Sequence, residues 1–458
     1  MTTYSAVVTT GIYCRPGCGS KPLARNLRAF GHAAAAEAAG FRACLRCRPY
    51  RVAGPIGSDA PELVCRAVRM IIGGALDHGG TEAALAERVG LSARHLRRLF
   101  QQHLGASPDQ LARSRRAHFA RRLLDDSDLT VLDIAFASGF GSLRQFNRTM
   151  REVFHASPTD LRERRRKADR LVADGGLALR LPVLPGYDWD AARAFLAVRA
   201  VPGVESVAGE VYRRTVTVEG APGLLEILPG GTDHLLLRAH LPYWEGLIHV
   251  VDRAGQLLGL DTDHTAAATA LRGDADLGGL VRHRPGLAVP GAWSAFEIAA
   301  RAVLSRGREA GEVTSWLGRI ARELGTPVPG LPGGLSHLFP EPATVEAAGP
   351  ARLGLPAREA AAIVAVAGAA HGEDTPLRYG ARAEELVGVA GLDTELAQLI
   401  AYRLGDGTAF PGGDPALAAA LEDLGITRED RWRPWSALAA THLICHGDTL
   451  ARSAVSPL

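Results

Sequence analysis

Four of the six cysteines in this 458-residue chain fall within its first fifty positions, and their spacing constrains that region more than any other feature. Cys14 and Cys18 stand as C-x3-C and Cys44 and Cys47 as C-x2-C, with 25 residues between the pairs. Each close-spaced pair can chelate one ion from a tight turn, and the intervening segment closes the cage. Pro16, Gly17 and Gly19 supply the turn at the first pair, and "EAAGF" reads as a short helix ending at Gly40 before the second. Tetrahedral sulfur ligation where thiols stay reduced favours Zn²⁺.

The reduced compartment is itself an expectation from the sequence. No charged-then-apolar leader opens the chain, and no apolar run reaches the roughly 18–20 residues of a membrane span. The expected location is therefore cytoplasmic, with no membrane partner. An apolar content of 47% suffices for globular cores, and the length suggests about three domains at roughly 150 residues each. The net charge of +3 hides an asymmetry: residues 1–170 hold 28 Lys and Arg against 15 Asp and Glu, whereas residues 171–458 hold 24 against 34. A basic first third points to nucleic acid there.

The words around the cysteines go further. "TTGIYCRPGC", "PLARNLRAF", "AEAAGF" and "CLRCRP" resemble the zinc domain of Ada-type DNA repair proteins over about residues 3–50. The resemblance implies that Cys14, Cys18, Cys44 and Cys47 bind zinc and that Cys14 takes a methyl group from a methylated DNA phosphotriester. Arg15, Arg42, Arg46 and Arg48 surround the cage in sequence and are candidate backbone contacts. The chain starts only ten residues before Gly11, shorter than the family's lead-in, so part of that domain's scaffold is expected to be missing.

Residues 59–167 contain a repeat offset by 50. Ser92, Arg94, Leu96, Arg98 and Phe100 match Ser142, Arg144, Phe146, Arg148 and Met150, and "ASP" at Ala106–Pro108 recurs at Ala156–Pro158. Gly90 and Gly139 sit where one helix turns into the next, and the following helices carry Arg on one face and Leu or Phe on the other. Two helix-turn-helix units in tandem are expected, their second helices entering major grooves about 34 Å apart. "IAFASGFGSLRQFNRTMREVFHASPTDLR" resembles the second half of AraC-type DNA-binding domains, which implies a sequence-specific transcription regulator. Candidate DNA contacts are Arg94, Arg97 and Arg98 in the first unit and Arg144, Gln145, Asn147 and Arg148 in the second. The run Arg164, Arg165, Arg166 and Lys167 reads as a phosphate-touching tail or a linker.

From Leu177 the pattern becomes α+β, and after about Pro285 mostly helical. "YDWDAARAFLAVRAVPGVE", "RPGLAVPGAWSAFEIAARAVL", "GGLSHLFPEP" and "RWRPWSALAATHL" resemble AlkA-type 3-methyladenine DNA glycosylases, in order. That family flips a base out of the duplex, and the resemblance places its catalytic aspartate at Asp414 in "FPGGDPAL". Asp414 reads equally as a helix N-cap before Pro415. The family's Gly-Gln-Gln-Val-Ser stretch is "SRGRE" here. Its phosphate-gripping hairpin reads "AGLDTELA": Gly391 is kept, Asp393 replaces the second glycine, and Glu395 replaces the tryptophan. Two carboxylates there are expected to repel a phosphate and favour a different turn. The aromatic expected near the end is Ile444, so excision by this half is doubtful. Cys65 reads as core, and His442, Cys445 and His446 as packing on a C-terminal helix rather than a metal site.

The fold expected is multidomain: a small zinc-bound α+β domain over 1–52, an all-α double helix-turn-helix domain over 59–167, an α+β sheet domain over 175–285, and a mostly helical helix-hairpin-helix domain over 286–452. The function expected is an alkylation-damage response protein that methylates itself once and then binds an operator. Double-stranded DNA, both damaged and operator, is the expected partner, with RNA polymerase as a further one. The rival is a plain zinc-containing regulator in which no methyl moves and the last module is inactive.

Overall fold

The computed structural model describes residues 3–15, 18–19, 22–51, 60–77, 79–166, 169–171, 176–372, 375–427 and 430–455. They form two compact units. The first spans residues 1–183 with 236–238 and 243–252; the second spans 184–235, 239–242 and 253–458.

The first unit opens with a four-stranded sheet in the order β3-β1-β2-β4, built from β1 (Tyr4–Val7), β2 (Ile12–Cys14), β3 (Leu27–Phe30) and β4 (Arg42–Ala43). The short stretch before Gly11 thus supplies an interior strand. β2 and β4 run parallel with Tyr13 opposite Ala43, so Cys14 and Cys44 emerge side by side at the same end. Helix α1 (Ala33–Ala38) buries Ala34, Ala35 and Ala36, and Gly40 ends its turn at φ +87°. Alanine there permits close approach: a Cβ on Gly105 would stand 2.9 Å from that of Ala35.

Among the described residues seven α-helices follow: α2 (Glu62–Ile72), α3 (Glu82–Arg88), α4 (Ala93–Leu104), α5 (Pro108–Asp126), α6 (Val131–Ala137), α7 (Leu143–Phe154) and α8 (Pro158–Glu163). The fifty-residue repeat is written into their caps. Ser92 and Ser142 each accept the backbone N–H three residues on, and Ser107 and Ser157 form capping boxes with Gln110 and Asp160 ahead of a first-turn proline. Gly90 and Gly139 hold the turns with φ of +73° and +79°, a region that favours glycine.

Helix α5 joins the two helix-turn-helix units and is buried on most of its surface, charged residues included. Several of these charges have partners: Arg116 donates to Asp77 Oδ1 (2.8 Å), Arg121 pairs with Asp125 (2.6 Å), and Arg51 reaches Asp125 and Asp126 (3.1 Å each). Cys65 on α2 is half-buried, its thiol facing the Ala60 carbonyl at 3.2 Å.

A second sheet runs β5-β9-β8-β7-β6, from β5 (Leu177–Pro182), β6 (Glu205–Ala208), β7 (Val211–Val218), β8 (Ala221–Pro229) and β9 (His234–His240). Helix α9 (Trp189–Arg199) precedes β6, with Asp188 as its cap. Helix α10 (Leu247–Leu257) starts in the first unit, where His249 Nε2 lies 3.2 Å from Asp77 and Asp252 pairs with Arg115.

The rest of the second unit is helical: α11 (His264–Leu271), α12 (Gly278–His283), α13 (Ala295–Ser305), α14 (Ala310–Leu324), α15 (Pro342–Ala348), α16 (Ala357–Ala369), α17 (Ala383–Leu386), α18 (Thr394–Arg403), α19 (Pro415–Asp423) and α20 (Ser436–Val455). One apolar cluster runs through them, from Phe296 and Leu317 to Ile400 and Ile444. Helices α17 and α18, joined by a 3-10 turn at Val389–Gly391, make the helix-hairpin-helix. Among the described residues no helix is long and apolar enough to cross a membrane.

Candidate functional site

The sulfurs of Cys14, Cys18, Cys44 and Cys47 all lie within 4.8 Å of one another, and among the described residues no other group of His, Cys, Asp or Glu converges this way. The parallel β2–β4 pairing explains half of that geometry, since Cys44 N–H donates to the Tyr13 carbonyl at 2.9 Å. Arg46 lies beside Gly19, its guanidinium 3.6 Å from where a Cβ would be, an ordinary contact. Pro16 and Gly17, expected to shape the first turn, lie outside the described residues. Burial pushes the Cys47 thiol up to about 11, with Cys44 and Cys18 raising it further. A divalent cation among the four sulfurs reverses that balance, because coordination deprotonates a thiol. His442, Cys445 and His446 do not converge as ligands: His446 pairs with Asp423 at 2.8 Å, while burial pulls His442 down to about 4.

The arginines near the cage divide by direction. Arg15 and Arg46 are exposed, and Arg42 is half-buried with its Nη1 on the Ala43 carbonyl (3.3 Å). Arg48, expected at the DNA, turns inward instead. It grips Asp169 through both terminal nitrogens at 2.6 Å, lies 3.8 Å from Asp125, and is only 9% exposed. That correction has a plain cause: a bidentate carboxylate partner satisfies the guanidinium in a buried site.

On α4, Arg94 and Arg98 are exposed, and Arg97 is exposed but ion-paired with Glu82. On α7, Arg144 and Arg148 are exposed while Gln145 and Asn147 are half-buried; Arg148 lies 3.8 Å from Glu152. The same helical faces expose Gln101 and Gln102 on α4 and Arg151 on α7, residues that a 3.6-residue count from Arg94 and Arg144 would have found. Arg165 is drawn back to the Ser127 carbonyl (2.8 Å) and Asp128 (3.0 Å), and Lys167 lies outside the described residues.

In the second unit Asp414 caps α19, its Oδ1 accepting from Ala416 N (3.0 Å) and Leu417 N (3.2 Å). Its other oxygen lies 4.0 Å from Arg199, whose guanidinium also stacks on Phe195 at 3.9 Å. Arg403 stacks on Phe195 as well, at 4.8 Å, and burial lowers it to about 9. At the hairpin, Gly391 is exposed with φ +79°, and Ala390 also turns left-handed at +50°. Asp393 caps α18 by accepting from Leu396 N (3.0 Å) and forms an ion pair with Arg306. The expected repulsion at Asp393 is therefore offset from within the chain, by a residue of the "SRGRE" stretch. Glu395 is exposed and lies against Gly413, so close that a Cβ there would collide with its carboxylate. Ile444 is 1% exposed and belongs to the core.

Three family models match this chain: the metal-binding domain of Ada at residues 2–50, a helix-turn-helix domain at 85–164, and the AlkA N-terminal domain at 178–294. A probable bifunctional transcriptional activator/DNA repair enzyme AlkA from Mycobacterium tuberculosis is 36% identical over 455 residues, which cover 96% of this chain and 91% of that one. The chain belongs to this bifunctional activator/repair family. Its other relatives divide along its length. DNA-3-methyladenine glycosylase 2 of Escherichia coli is 29% identical over 57% of this chain and 94% of its own. The bifunctional transcriptional activator/DNA repair enzyme Ada of Escherichia coli is 32% identical over 32% of this chain and 41% of its own. Among solved structures, 3-methyladenine DNA-glycosylase from Archaeoglobus fulgidus shares the fold of the C-terminal part, with 19% identity and a TM-score of 0.51 over 59% of this chain and 99% of that one. As a member of the bifunctional activator/repair family, the chain joins a zinc-binding domain, an AraC-type DNA-binding domain and an AlkA-like glycosylase fold. Zn²⁺ is the ion of its cysteine cluster.

Proposed function

We propose that this chain senses alkylated DNA by taking a methyl group from a backbone methylphosphotriester onto Cys14, and that the modified protein then binds an operator through α4 and α7. Cys14, Cys18, Cys44 and Cys47 hold the zinc, which keeps the sulfur ionised and nucleophilic at neutral pH. The sulfur attacks the methyl carbon; the S–C bond forms as the C–O bond breaks, and the electron pair stays on the phosphate oxygen to leave an ordinary phosphodiester. The thioether is stable, so each molecule acts once. Arg15 and Arg46, exposed beside the cage, hold the phosphates on either side of the lesion. Cys14 is only 5% exposed, so presenting the methyl group is the step those arginines must assist.

The transfer also changes charge. Four thiolates around a dication sum to two negative charges, and methylation removes one. A unit charge about 5 Å from a phosphate is worth roughly 3 kcal/mol at an effective dielectric near 20, before salt screening. Losing that repulsion turns damage into operator affinity. We propose further that the C-terminal half keeps the glycosylase fold but excises cationic alkylated bases poorly. Arg199, 4.0 Å from Asp414, already meets the negative charge that the developing sugar cation would need, and Glu395 stands where the family has a stacking ring.

The convergence of the four sulfurs is the observation that carries this reading. The deciding experiment incubates zinc-loaded protein with a duplex carrying a methylphosphotriester and maps the peptides by mass spectrometry. A gain of one CH₂ on the Cys14 peptide is expected. A methyl on Cys18, Cys44 or Cys47 would reassign the acceptor, and none at all would leave a regulator whose zinc is structural.

A further inference from the structure

The zinc domain meets the DNA-binding domain through a buried polar hub one residue from Cys14. Tyr13, fully buried in β2, donates its hydroxyl to Glu37 Oε1 at 2.6 Å. His118, on α5, brings Nε2 to the same oxygen at 2.6 Å and to the Tyr13 hydroxyl at 3.2 Å. One carboxylate oxygen thus holds both domains, while Glu37 Oε2 is buried with no hydrogen-bond partner among the described residues.

The far side of His118 faces the second helix-turn-helix unit. Its ring lies 5.9 Å from that of Phe154, the last residue of α7, and 6.4 Å from Tyr50, whose own ring meets Phe154 edge-on at 5.9 Å. Tyr50 lies three residues past Cys47, and Tyr13 immediately before Cys14. Both cysteine pairs are therefore flanked by side chains that press on α5 and on the end of α7.

We infer that the Tyr13–Glu37–His118 hub is the link by which the state of the Cys14 sulfur reaches the second recognition helix, with His118 as its positioning residue. The inference rests on the methyl-transfer reading and deepens it. Charge loss at the cage acts directly on nearby phosphates; the hub acts on the orientation of α7. A methyl on Cys14 enlarges a buried side chain at the end of β2, and close-packed interiors pass on such a displacement rather than absorbing it. Tyr13 is the next residue along that strand, and its hydroxyl cannot move without releasing or dragging the oxygen that His118 shares.

The test uses the full-length zinc protein and compares operator affinity before and after methylation in wild type, His118→Phe, His118→Gln and Tyr13→Phe. His118→Phe keeps a ring against Tyr50 and Phe154 and removes only the polar contact; Tyr13→Phe removes only the hydroxyl; His118→Gln restores a donor. Couplings of this kind are typically worth about 5–150-fold in affinity. We expect methyl uptake and unmethylated affinity to match wild type in all three. The methylation-dependent gain should fall below about twofold in the two Phe variants and return in His118→Gln. A full gain in His118→Phe overturns the hub. Loading Cys14 with methyl iodide separates this failure from that of the transfer reading. If DNA donates no methyl but the iodide-loaded wild type gains affinity and iodide-loaded His118→Phe does not, the hub stands and the transfer falls.

Discussion

The two places where this chain gathers reactive groups are built on opposite plans. At the cysteine cluster, short strands and turns deliver four sulfurs to one point, where the ion they hold ties the fold together and, in the proposed reading, activates Cys14. At Asp414, the carboxylate serves the fold: one oxygen caps α19 and the other faces Arg199. The first arrangement has no purpose without its ligand. The second is already satisfied by its own chain. A reactive residue type in a family position is thus weak grounds for activity when its hydrogen bonds and its counter-charge are both supplied internally.

The comparison would break most dramatically if the cluster proved dispensable. Strands of two to four residues and a six-residue helix give residues 3–51 little apolar core of their own. Structural zinc contributes apparent binding energies of about 10–16 kcal/mol at neutral pH in small domains. Stripping the ion with a chelator, or replacing Cys44 by Ser, is expected to abolish amide protection in β1–β4 while the second unit keeps its melting transition. Hydrogen exchange read by mass spectrometry checks this, and protected strands without metal would show that the sheet stands alone.

A smaller effect sharpens what holds the zinc domain in place. Arg48 and Asp169 form a buried bidentate pair, and removing one partner of such a pair leaves an uncompensated charge at about 3–5 kcal/mol. Arg48→Ala is expected near the lower end, about 3 kcal/mol, because Arg51 lies 3.7 Å from Asp169 and partly replaces it. Denaturant melts monitored on the first unit measure it. If the variant keeps its stability but loses affinity for methylated DNA, Arg48 contacts the duplex after all.

What was legible in the sequence follows the reach of the interactions. The cage, the doubled helical unit and its caps are local: C-x3-C, C-x2-C, the turn glycines and Ser-x-x-Gln each act within a few residues, so their spacing is their geometry. Arg48 was misplaced because its partner is 121 residues away, and an arginine in a basic run looks the same whether it turns in or out. Arg306 and Asp393 are 87 residues apart, so two departures from the glycosylase pattern that read separately as defects compensate each other in space. Helix α5 hides its role for the same reason: buried on most sides, it shows no clean apolar stripe, and partners of Asp125 and Asp126 lie in other segments. The hub at His118 joins residues 81 and 105 apart and left no signal at all.

The smallest effect bears on Asp414 itself, because its two roles respond differently to two substitutions. Asn is as good an N-cap as Asp, whereas Ala loses the cap at about 1 kcal/mol. Asp414→Asn should therefore melt like wild type and Asp414→Ala slightly lower. A glycosylase carboxylate gives a different pattern, since both changes remove the charge that stabilises the sugar cation as the base leaves. On duplex DNA containing 3-methyladenine we expect wild type to release no more base than Asp414→Asn. Release by wild type that vanishes in Asp414→Asn would mean that Arg199 swings away when DNA binds, and that the satisfied carboxylate is the resting state of a working site.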